Sequence, residues 1–165
     1  MPKAPGRRGV RASRPSRQHG FTLIEMMVIV LIVAILLLVA IPMFLGARTR
    51  AQDRAAQTKL RSALTAEKTW YADKQAYTQT AADLLSVEES LALDAAADAN
   101  PAKGSVAYAL VGGVVVLGTQ SVSGTCFYLK DTPTGAGSGT RYGSDGSTPC
   151  PKPSAMEPTI TLDKW

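Results

Sequence analysis

Residues 20–42 read GFTLIEMMVIVLIVAILLLVAIP, and this stretch decides how the chain is built. Residues 26–41 contain no polar side chain, and over residues 21–41 the exceptions are Thr22 and Glu25. A helix of that length spans roughly 30 Å, about one hydrocarbon core. The segment is apolar all round, whereas a helix on a soluble surface shows only a stripe. It therefore predicts one membrane-grade helix rather than the buried helix of a soluble domain. A cleaved secretory signal fits less well, because the apolar run exceeds the usual length and no clean small-x-small site follows it.

Outward from this run the charge is unevenly spread. The net charge is +5 over 165 residues. Residues 1–20 hold Lys3, Arg7, Arg8, Arg11, Arg14 and Arg17 and no acid, while the rest of the chain is close to balance. The basic pI thus comes from a terminal tail without interleaved aromatics, and no nucleic acid is expected as a specific partner. Flanking charge does not orient the span: six positive residues precede it, and Arg48, Arg50, Arg54, Lys59 and Arg61 follow it. Two cysteines, Cys126 and Cys150, lie in the C-terminal third with no metal quartet around them. A disulfide in an oxidising compartment is preferred over two free thiols, and it would place the C-terminal part outside the cytoplasm.

Glu25 is the odd residue. A charge at mid-bilayer costs about 2.5–3.5 kcal/mol on insertion scales, and less near the interface. One reading is a carboxylate reaching the headgroups at the positive end of its helix. The other is a charge with a partner to meet. Gly20-Phe21-Thr22-Leu23-Ile24-Glu25, with a short basic leader before it and an apolar helix containing Pro42 after it, resembles the class III signal of type IV pilins and pseudopilins. The likeness covers about residues 1–75 in pattern and the remainder in architecture only.

That resemblance implies a processing and assembly scheme. A prepilin peptidase would cut between Gly20 and Phe21 on the cytoplasmic face and N-methylate Phe21. The helix would then leave membrane lipid and bundle with its own copies into a surface filament, with pilus assembly machinery and minor pilins as further partners. Glu25 of one subunit would be matched to the Phe21 amine of a neighbour. An unpaired carboxylate among apolar helices is costly, so such a pair can select axial register. Capping of its own helix by Glu25 stays open beside this.

Past the span, Pro42 and Gly46 predict a kink or local melting around residues 38–46. Residues 43–75 read as an amphipathic helical half, with Leu45, Ala51, Ala55, Leu60, Ala63, Leu64 and Tyr71 at roughly helical spacing. Residues 21–73 would be roughly 80 Å long as one straight helix. Trp70, Tyr71 and Tyr77 are expected to pack under the following loop. Residues 76–104 read as an αβ loop, in which Thr80…Asp83 and Ser86…Glu89 fit capping-box patterns. The period then changes. Residues 105–112, 114–120 and 125–131 are β-prone, with Gly112-Gly113 and Ser123-Gly124 as turns, and predict an antiparallel meander. Residues 159–162 are expected as a fourth strand or a terminal cover. The stretch between the cysteines is rich in Gly, Ser and Thr, reads as an exposed loop, and resembles the disulfide-bounded region of pilins.

The fold class expected is α+β: a long N-terminal helix packed on a C-terminal antiparallel sheet of three or four strands. The domains are a leader at 1–20, a core helix at 21–42, its amphipathic half at 43–75, the loop at 76–104, and sheet with disulfide loop at 105–165. Asp131 and Asp145 lack the dense oxygen ligands of a calcium loop. No nucleophile–base pair, phosphate loop or metal motif stands out, so no enzyme activity and no cofactor is expected. The function expected is the major subunit of a type IV pilus. A pseudopilin or minor pilin of a secretion or DNA-uptake machine is the near alternative, and a monomeric membrane-anchored adhesin or binding domain is the alternative of another class.

Overall fold

Thr22 starts the main helix. Its Oγ1 accepts the backbone N–H of Glu25 at 3.2 Å, satisfying one of the donors a helix leaves open at its N-terminus. In this computed structural model, which describes residues 20–135 and 137–165, α1 accordingly runs Leu23–Lys74. Phe21 lies outside it. The helix closes where Gln75 takes a left-handed φ of 57° and donates its N–H to the Tyr71 carbonyl at 2.8 Å. The chain forms two units, Met1–Pro42 and Met43–Trp165, each described by itself. The leader lies outside the described residues except for Gly20. Residues 38–46, where a kink or local melting is expected, are all helical, Pro42 and Gly46 included.

In the second unit α1 buries Ala56, Leu60, Ala63, Leu64, Ala66 and Glu67. Their spacing repeats every three or four residues and makes one inward face. Leu60, Ala63 and Leu64 were expected there; Leu45, Ala51 and Ala55 are exposed instead. That face meets a four-stranded antiparallel meander: β1 Ala107–Val111, β2 Val114–Gln120, β3 Cys126–Thr132 and β4 Gly139–Asp145. Gly112 and Gly113, with φ of 58° and 85°, form the two-residue turn that pairs Val111 with Val114. Tyr108, Val115, Leu117, Phe127 and Leu129 point to the helix side and join Leu60 and Leu64 in one core. The alternate residues Val116 and Tyr128 face the other way.

That second face is also covered. The final segment folds as a short helix, α3 Pro153–Met156, followed by a single 3₁₀ turn. Met156 and Ile160 close over Val116, Tyr128 and the cysteines. Residues 159–162 are thus a cover, attached by one bridge between Leu162 and Tyr142. The fourth strand is β4, drawn from the stretch read as an open loop. Gly118 admits the tight packing here, since a Cβ on it would lie 2.9 Å from both the Tyr128 ring and Pro101. Before the sheet, α2 Ala81–Val87 is a single short helix, and residues 88–93 do not continue it.

Candidate functional site

The candidate site is a surface. Between residues 21 and 45, every large apolar side chain is exposed, from Leu23 at 78% to Met26 at 43%. Folded monomers rarely expose contiguous apolar patches of more than a few hundred Å². Removing each such side chain from water is worth about 1.5–3 kcal/mol, so this segment needs lipid or protein around it. By length and composition α1 is apolar enough to cross a membrane, with a mean hydropathy of 3.4 over its best window.

Glu25 sits in the first turn of that surface as its one acid. Among the described residues it takes part in no ion pair. Its backbone N–H is held by Thr22 Oγ1, so Thr22-x-x-Glu25 fits a capping-box pattern, of which the threonine half is formed. Gly20 and Phe21 precede the helix and are exposed, and nothing lies within 4 Å of where a Gly20 Cβ would stand. Pro42 and Gly46 lie within α1, at the far end of the apolar surface.

Cys126 and Cys150 are bonded, with Cα atoms 5.8 Å apart and a sequence separation of 24. The bond ties the first residue of β3 to the chain beyond β4. Asp131, read from sequence only against calcium, is buried at 3% exposure. Tyr77 Oη and Thr140 Oγ1 donate to it, and Lys68 Nζ lies 3.0 Å away. Burial works to raise its pKa, but these three partners together hold it below the usual carboxylate range. Burial and the Asp131 carboxylate push the Tyr77 phenol upward. Tyr77 also packs on Tyr71, 4.8 Å between ring centres, as the expected aromatic cluster requires, while Trp70 stands under Lys74 instead.

Glu67 escaped notice in the sequence. It is fully buried; Oε2 accepts the Thr78 N–H at 3.2 Å, and Oε1 has no partner among the described residues. Burial pushes its carboxyl up to about 7; the Thr78 N–H opposes this and the Asp83 charge adds to it. Its place in the Leu60, Ala63, Leu64 periodicity was the available signal.

One exposed apolar helix led by a single acid, joined to a helix-on-meander head, defines a pilin-like α+β architecture. The prokaryotic N-terminal methylation motif matches residues 15–41. Over 68 residues the chain is 38% identical to the type IV major pilin protein PilA of Myxococcus xanthus, covering 41% of this chain and 31% of that protein. Over the same length it is 40% identical to the type IV wide pilus major component PilA4 of Thermus thermophilus, covering 41% of this chain and 52% of that protein. The chain carries the methylation motif and is homologous to type IV major pilins, and the matches span 31% and 52% of those two relatives' lengths.

Proposed function

We propose that the chain is the structural subunit, the major pilin, of a type IV pilus. The observation that carries this is the exposed apolar segment at residues 21–45 with one acid near its start, in the region where the methylation motif matches. Residues 1–20 are a leader removed between Gly20 and Phe21 by a prepilin peptidase, and Phe21 is then N-methylated. The precursor is held by one helix in the membrane, leader inward and the Cys126–Cys150 head outward. Assembly exchanges lipid around that helix for the same helix of other copies.

Glu25 sets the register of this exchange. The free α-amino group of Phe21 is cationic near neutral pH. Copies shifted along the axis would leave an amine and a carboxylate unpaired among apolar side chains, and each such charge is expensive. Pro42 and Gly46 weaken the helix where it must repack between lipid and filament.

N-terminal sequencing and intact mass of protein sheared from producing cells test the reading. The expected result is sedimentable filaments of a chain that begins at methyl-Phe21. A dispersed, detergent-extracted single chain that still begins at Met1 would overturn it.

A further inference from the structure

We propose that the flank of α1 bearing Arg50 and Arg54 docks, in a second copy of this chain, into the groove between α1 and residues 87–92, where Glu88 and Glu89 stand. This rests on the subunit reading above and names its lateral contact. The groove consists of two cavities, of about 350 and 210 Å³, that share Ser62. On the α1 side it is lined by Thr58, Ser62, Thr65, Ala66 and Thr69, all small, and by Lys59, whose Nζ donates to the Gly104 carbonyl at 2.9 Å. The hydroxyls of Thr58, Thr65 and Thr69 each donate to the carbonyl four residues back, at 2.9 Å. Their hydrogen bonds are thus met within the helix, and small side chains let another helix approach closely.

The opposite wall is acidic and apolar. Glu88 lines the groove, and Glu89 beside it is exposed. Neither joins an ion pair among the described residues. Val87, 37% exposed, adds an apolar edge. The complementary charge lies elsewhere on α1. Arg50 and Arg54 are exposed, four residues apart, and so share one face. Asp53 is bonded to Ser123 Oγ, and the ion pairs of the described residues use Lys68, Lys130 and Arg141.

Geometry decides the kind of contact. Arg50 precedes Ser62, and Arg54 precedes Ala66, by the same interval of twelve residues. At 3.6 residues per turn the two strips are about 120° apart around the helix. Thr58, at the near end of the groove, is only four residues past Arg54, so donor and acceptor are offset along α1 and by up to about 120° around it, and each copy can give and receive at once. Such a heterologous contact extends into an open filament unless its rotation happens to close. An anionic lipid surface would satisfy the arginines but leave the acidic groove unmatched.

The test uses cells making only the full-length Arg50→Glu/Arg54→Glu chain, only the Glu88→Lys/Glu89→Lys chain, or the fourfold combination. Sheared filament is measured against total chain in the envelope. Each double reversal is expected to lower filament yield roughly tenfold at unchanged chain level, because like charges then face each other across the contact. The combination is expected to restore yield to within roughly threefold of the parent, since it re-forms opposite pairs. Unchanged yield in either reversal, or a loss that the combination does not repair, overturns the docking. So does loss of membrane retention in the arginine variant alone, which would assign those residues to lipid headgroups. A parent chain that forms no filaments overturns the subunit reading itself, and is recognised because it fails without any substitution.

Discussion

Glu25 and Glu67 carry the same carboxylate into opposite surroundings. Glu25 stands exposed in the first turn of an apolar helix and joins no ion pair among the described residues. Under the register reading, Glu25→Ala leaves a mature chain beginning at Phe21 but lowers filament yield roughly tenfold or more, as the loss of one partner of a buried charge pair does. Wild-type yield of Glu25→Ala filaments would remove Glu25 from that role. Glu67 is sealed inside the head with its carboxyl raised to about 7, so the folded chain keeps a proton that the unfolded chain gives up. Its contribution is fully present below the ordinary carboxyl range and is lost as the pH rises through about 7. The loss amounts to at most about 3 kcal/mol, at about 1.4 kcal/mol per pKa unit. Asp131 works the other way: its lowered pKa contributes stability that disappears as the pH falls through the acid range. Thermal unfolding of the detergent-solubilised chain should therefore peak in weak acid and decline toward neutrality. Glu67→Gln should flatten the decline between about pH 5 and pH 8. A slope unaltered in that variant would place the titrating group elsewhere.

At the scale of the elements, the disulfide and β4 depend on each other. The segment between Cys126 and Cys150 contains most of β3 and all of β4, so the bond spans a hairpin rather than an open loop. β4 is an edge strand with little side-chain burial of its own. Closing a loop of this size contributes about 3–4 kcal/mol in the chain-entropy account. Cys126→Ser/Cys150→Ser should shift the denaturant midpoint of the head by about that free energy, measured by chemical unfolding of the full-length chain. A shift near zero would mean that the hairpin and the Met156–Ile160 cover hold this end without the bond. The Leu60, Ala63 and Leu64 part of the α1 face, the Gly112-Gly113 hairpin and the cysteine pairing were legible in sequence, because each is a local pattern or a simple count. β4 was not, because Gly139–Asp145 is rich in glycine and polar residues. Its strand state comes from pairing with β3, from Thr132↔Gly139 to Cys126↔Asp145.

At the scale of the molecule, two units divide the work. The first presents an apolar surface that is unstable in water by itself. The second closes its own core on both faces of the sheet and leaves charge on its flanks. Under the proposed subunit reading, an assembly needs the first for burial and the second for choosing neighbours. Residues 20–42 by themselves determined that the chain must be covered by lipid or by other chains, because hydrophobicity over one helix length is a property of composition alone. The tertiary structure alone decided that Glu67 and Asp131 are buried, that residues 159–162 form a lid, and that Glu88 lines a groove along α1. Each of these depends on which distant segments meet, and no local pattern records that.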